Sequence, residues 1–199
     1  MTNNPTYLTI PLRLWIIARC IQTVLLERCQ ALKTKYIYLS VIGILTVLID
    51  QFTKIWAKGL QFEKPLSVID GFWQFRYAEN RGAAWGIFST MSEGLRIPFF
   101  FVISMIAMGI IIFLFRKLQN NQRWLIVALS FVLGGATGNF IDRIFNRYVI
   151  DFIDMYYGSY HWPTYNMADV FISTGVAMLI IEIIMSKGKS SLLEPPTSK

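Results

Sequence analysis

Four long apolar runs, separated by polar segments, set the pattern of this chain. Tyr36–Ala57 opens with fourteen uncharged residues, YIYLSVIGILTVLI, and Ile97–Phe115 is nineteen uncharged residues. Trp124–Ile141 and Val170–Met185 complete the set, the last reaching a membrane-spanning length with Ala168 and Asp169. A helix needs about 20 apolar residues to cross a hydrocarbon core roughly 30 Å thick, so each run predicts a transmembrane helix. Between the first two, PLSVI and FWQFRYAE are aromatic or β-branched and partly alternating, and Pro65 and Asp70-Gly71 punctuate them. They predict two or three short strands. Residues 142–168 read as a second loop. The pattern as a whole predicts an all-α membrane fold with a small β element: a four-transmembrane-helix bundle, a short extracytoplasmic β-cradle and a loop or flap.

Lys and Arg set the expected orientation. Arg116, Lys117 and Arg123 flank the LQNNQ turn, Lys187 and Lys189 follow the last run, and Arg13, Arg19, Arg28 and Lys33 precede the first. By the positive-inside tendency, both termini and that turn are cytoplasmic, although the outer segments also carry Lys58, Lys64, Arg76, Arg81, Arg143 and Arg147. Residues 1–35 mix Leu, Ile and Trp with Arg at intervals too short to span. They predict a basic amphipathic extension lying on the inner leaflet, with a flexible tail as the alternative. Residues 36–185 form the transmembrane domain, and 186–199 a cytoplasmic tail.

Composition narrows the class further. Of 199 residues, 54% are hydrophobic and only 16% charged, against about 25% charged in a soluble domain. The net charge of +7 is topogenic on this reading; no basic stripe lies on a soluble domain, so nucleic acid is not an expected partner. Cys20 and Cys29 both fall in the extension and His161 is the single histidine. No metal site and no Ser/His or Cys/His nucleophile pair is expected from that set.

The chemistry concentrates between the third and fourth runs, where Asn139, Asp142, Arg143, Asp151, Asp154, Asn166 and Asp169 crowd together. Ionisable groups so close to hydrocarbon are costly and point to function. Asp50, late in the first run, joins them at the same predicted depth. Asp50 and Lys54 are four apart and share a helical face; they pair inside the bundle, or Lys54 snorkels as a plain anchor. Gly134 and Gly138 form a small-xxx-small face for close helix packing. Asp142 and Arg143 suit capping or packing, whereas Asp151 and Asp169 do not. Two close carboxylates share a proton, and such a pair can activate water and polarise a carbonyl without metal or cofactor. An intramembrane proton or ion relay in a small transporter is the other reading of the same residues.

Five blocks resemble one known family, the bacterial lipoprotein signal peptidases (signal peptidase II): DQFTK at 50–54, NRGAAWG at 80–86, GGATGNFIDR at 134–143, VIDF at 149–152 and HWPTYNMAD at 161–169. They stand in the family's order, over residues 36–185. The resemblance implies an intramembrane aspartic endopeptidase that needs no cofactor. It would remove the signal peptide from diacylglyceryl-modified prolipoproteins, cutting before the lipidated cysteine. The chain would be a multi-pass monomer of the bacterial cytoplasmic (inner) membrane, in contact with membrane lipids, with its active site near the outer leaflet.

Residue by residue, the resemblance makes Asp151 and Asp169 the catalytic dyad. It assigns Asp50, Lys54, Asn80, Gly82, Asn139, Asp142, Arg143, Asn166 and Ala168 to the substrate site or its support. Asn139 and Asn166 would hydrogen-bond near the scissile region, Asp142 and Arg143 would support the fold, and Asp50 and Lys54 would brace the first helix. Residues between Asp151 and Asp169 would act as a flap. His161, beside Trp162 and Pro163, is expected to be structural. Three positions depart from the family's habit: Trp85 and Tyr165 stand where Phe is usual, and Arg147 where many members carry Gly.

Overall fold

The computed structural model describes residues 12–61, 64–82 and 91–185. Trp85, residues 1–11 and the 186–199 tail lie outside the described residues. The chain runs α1 (Leu12–Lys58), β1 (Leu66–Ile69), β2 (Trp73–Asn80), α2 (Glu93–Lys117), α3 (Arg123–Phe145), β3 (Val149–Tyr157), β4 (Tyr160–His161) and α4 (Met167–Met185). Thr34–Lys58 and the whole of α2, α3 and α4 are long and apolar enough to cross a membrane. The extension's helix continues into the first span without a break, so α1 has 47 residues.

Most of the apolar side chains on the spans face outward. Phe52 is 74% exposed and Ile184 69%, whereas Asp50, Lys54, Asp142, Asp151 and Asn166 are buried. A water-soluble core would bury the first set and expose the second. Here lipid tails solvate the apolar surface, and the polar groups must find partners inside the protein.

Helix α3 is central. Its glycines let the neighbouring helices approach closely: a Cβ on Gly134 would meet Thr46 of α1 at 2.7 Å, and one on Gly135 would meet the Ala168 carbonyl of α4 at 2.5 Å. At the far end of the bundle, the Lys35 ammonium donates to the carbonyls of Arg116 (3.1 Å) and Leu118 (2.9 Å), tying α1 to the end of α2.

The predicted strands form, but the sheet is larger than the sequence pattern suggested. All four strands join in the order β1-β2-β3-β4, antiparallel throughout. Residues 142–168, read above as a loop, therefore contain the central strand β3. Its run VIDFIDMYY lacks clean alternation because both faces are covered and residues 149–154 are all buried, and period-2 reasoning sees only half-buried strands. The sheet seats on the end of α1: Ala57, Ile150, Phe152 and Ile153 form one apolar cluster, with Trp56 edge-on to Phe75 at 5.2 Å and to Phe152 at 6.1 Å.

Candidate active site

The ends of α1 and α3, the start of α4 and strand β3 meet beneath the sheet. Lys54 stands at the centre with its side chain 2% exposed. Its ammonium lies 2.8 Å from Asp50 Oδ2, 3.0 Å from Asp142 Oδ2 and 2.8 Å from Asn139 Oδ1. The Asp50–Lys54 pair expected from i,i+4 spacing is present, and Lys54 does not snorkel. Asp142 turns to Lys54 and to the Ile150 amide (3.1 Å), not to its neighbour Arg143. Arg143 instead stacks over Phe100 at 5.2 Å and lines the cavity described below.

Helix α4 starts inside this network. The Asn166 side chain accepts the Asp169 amide (3.1 Å), and Asp169 Oδ2 accepts the Asn166 amide (3.2 Å), a reciprocal cap. The Ala168 amide donates to Asp50 Oδ1 at 2.9 Å. Three backbone donors at this buried helix start thus have partners, as a polar group away from water requires. Ala168 must be small as well, since it lies against Gly135.

Two asparagines carry the network to the carboxylates. Asn139 donates to Asp169 Oδ1 at 2.9 Å, and Asn166 donates to Asp151 Oδ1 at 2.7 Å and to Asn139 Oδ1 at 3.1 Å. Asn80, at the end of β2, donates to Asp151 Oδ2 at 3.0 Å, while its own carbonyl oxygen accepts the Gly82 amide at 3.1 Å. Burial, and after it the negative charge of Asp169, push the Asp151 carboxyl up to about 7. Asp151 and Asp169 line one cavity of about 950 Å³ with Asn80, Gly82, Asn139, Arg143 and the segment Tyr160–Tyr165.

All eleven residues singled out from the sequence belong to this one assembly. Others join it that the sequence reading did not assign: Gln51 donates to Asp50 and to the Gly138 carbonyl, both at 3.1 Å. Asp154, buried on β3, gathers Gln74, Arg76 and His161. Its presence among the crowded polar residues was the available signal; its partners, on other strands, were not legible. Tyr165 keeps its ring in the site and adds a hydroxyl that donates to Met155 Sδ at 3.3 Å.

An inside-out helical bundle with two carboxylates, Asp151 and Asp169, on one cavity at its sheet-covered end defines a multi-pass membrane protein with a polar site at one end. The model of the family described as signal peptidase (SPase) II matches residues 42–185. Relatives named lipoprotein signal peptidase include one from Geobacter sulfurreducens, 36% identical over 80% of this chain and 99% of its own length. Another, from Listeria monocytogenes serotype 4a, is 36% identical over 77% and 97%. A bacterial membrane enzyme solved by the in meso method at 2.3 Å superposes with a TM-score of 0.66 at 34% identity, over 79% of this chain and 93% of its own. The chain belongs to the signal peptidase II family. It is therefore a multi-pass membrane protease, aspartic in type by its family, and the choice between peptidase and ion relay falls to the peptidase.

Proposed function

We propose that this enzyme removes the signal peptide from diacylglyceryl-modified bacterial prolipoproteins, cutting before the lipidated cysteine, with Asp151 and Asp169 as its catalytic dyad. The observation that carries the reading is the shared cavity: two carboxylates from different elements, each held by an asparagine amide, with Asp151 raised to about 7. At neutral pH such a pair retains one proton.

The step follows from that proton. Asp169 takes a proton from water as the water oxygen bonds to the scissile carbonyl carbon. Asp151 gives its proton to the carbonyl oxygen, producing a gem-diol. Collapse returns the Asp151 proton, breaks the C–N bond and delivers the proton on Asp169 to the leaving nitrogen. Asn139 and Asn166 hold the carboxylates in register, and the Lys54–Asp50–Asp142 cluster anchors Asn139 and the start of α4. Arg143 completes the cavity wall.

A lipid-anchored substrate diffuses in the bilayer plane, and a site where the helices end meets it without extraction. The Lys and Arg that flank the 118–122 turn at the opposite end of the bundle favour a site at the outer leaflet of the cytoplasmic membrane, with both termini inside and the Tyr160–Tyr165 segment as the flap. The enzyme acts as a monomer without a cofactor.

The deciding experiment is cleavage of a diacylated prolipopeptide by purified enzyme in detergent. Wild type is expected to cut before the lipidated cysteine. Asp151→Asn and Asp169→Asn are each expected to lose about 10³-fold or more, the scale of a lost general acid or base, while remaining folded. Cleavage surviving in either variant would move the dyad, and Asp142 would be the next residue to test.

A further inference from the structure

The cavity wall opposite the helix ends is held by a buried carboxylate that the dyad chemistry does not use. Asp154 is fully buried on β3. Its Oδ2 accepts Gln74 Nε2 at 2.7 Å and lies 3.0 Å from Arg76 Nε, an ion pair off the N–H line rather than an aligned hydrogen bond. His161 Nδ1 lies 2.9 and 3.0 Å from the two carboxylate oxygens. The His161 ring also stacks on Tyr156, 5.2 Å between centroids and 14° between planes. Arg76 and His161 are each 40% exposed at the side chain, and both line the cavity that contains Asp151 and Asp169.

The atoms facing Asp154 decide what the other atoms can do. A carboxylate accepts only, so Nδ1 of His161 carries the hydrogen, and in the neutral ring Nε2 is then an acceptor. Arg76 meets Asp154 through Nε, and its two Nη groups remain donors. The wall thus presents a donor and an acceptor, the complement of one residue of an extended strand, whose own C=O and N–H point to the same side: Arg76 Nη for its C=O and His161 Nε2 for its N–H. The backbone around them is fixed, with the Trp162 amide donating to the Met155 carbonyl (2.8 Å) and Tyr165 paired to Ile153 in both directions (3.1 and 2.9 Å).

We propose that Arg76 and His161 form a main-chain-binding subsite for the peptide part of the substrate, and that Asp154 is the positioning residue that fixes the His161 tautomer and the Arg76 guanidinium. The subsite rests on the peptidase reading above. It binds one residue of an extended peptide beside the scissile bond, and its contribution is to substrate affinity rather than to the chemical step.

The test is steady-state cleavage of a diacylated prolipopeptide, and of a series in which each amide flanking the scissile bond is replaced in turn by an ester. An ester removes one N–H donor. With wild type, one ester position raises KM by about 5- to 10-fold, the scale of a lost hydrogen bond of about 1 kcal/mol or slightly more, with kcat within 2-fold. His161→Phe raises KM for the all-amide substrate similarly, and the sensitive ester then costs it nothing more. Arg76→Gln raises KM without cancelling the ester effect, and Asp154→Asn reproduces both losses. If Asp154→Asn fails to fold, the His161→Phe cycle decides alone, because a packing defect cannot abolish sensitivity to one substrate N–H. Equal ester effects in wild type and His161→Phe at every position overturn the subsite. So does a fall in kcat with KM unchanged. Failure of wild type to cleave the all-amide substrate would instead overturn the peptidase reading.

Discussion

At Asp151, burial and the facing Asp169 raise the carboxyl to about 7, against about 3.9 for an unperturbed Asp. Two consequences follow at this one residue. Cleavage that needs the shared proton is expected to fall as pH rises above about 7, and a pH–kcat/KM profile in detergent checks it. Stability has the same sign: between about pH 4 and 7 the folded chain holds a proton that the unfolded chain has released, so stability falls as pH rises through 7. Asp151→Asn should remove that slope, with a Tm at pH 8 equal to or above wild type. Arg147 gives a second residue-level prediction. It sits at φ 67°, in the left-handed region that disfavours a side chain and that glycine enters freely. Arg147→Gly should stabilise the enzyme by about 0.5–1 kcal/mol, the strain relief exceeding the entropy cost of glycine, and leave cleavage unchanged. Denaturation of both proteins in one detergent measures it.

Helix α3 is the element whose surface is most constrained. A Cβ on Gly138 would lie 2.4 Å from Asp50 Oδ2, and Asp50 holds both Lys54 and the start of α4. Gly138→Ala should therefore destabilise by about 1–3 kcal/mol, as overpacking does, and should lower kcat by displacing the capped turn that carries Asp169. Gly109, in α2, has nothing within 4 Å of its Cβ position. Gly109→Ala is the control, expected to be neutral or slightly stabilising because alanine favours a helix. A matched loss of Tm in the two variants would refute the packing argument.

Over the whole molecule, α1, α2, α3 and α4 alternate in direction, so the sheet and the Asp151–Asp169 pair share one end while Lys35, Leu118 and Arg123 mark the other. With Cys20 and Cys29 replaced, a cysteine at Ser159, in the exposed β3–β4 turn, should react with an impermeant maleimide in intact cells. A cysteine at Asn121 should react only after permeabilisation. The reverse pattern would invert the proposed orientation. The two ends are built differently: the far end packs apolar residues such as Phe115, Leu125 and Leu129 around the tied Lys35, and the sheet-covered end packs the Lys54–Asp50–Asp142 cluster beside an apolar seat for the sheet.

The sequence by itself determined the four spans, the presence of short strands after the first span, the shared helical face of Asp50 and Lys54 and the close-packing face of α3. All of these are local, because hydropathy and i,i+4 spacing act within a single element. The five blocks also made the family legible. What only the tertiary structure decided is which polar groups meet. Asp142 prefers Lys54, 88 positions away, to Arg143 beside it. Asp151 comes to Asp169 through Asn139 on α3 and Asn166 just before α4. Asp154 collects partners from two other strands. A buried charge takes whatever donors the packed fold brings within about 3 Å, and no spacing along the chain specifies that set.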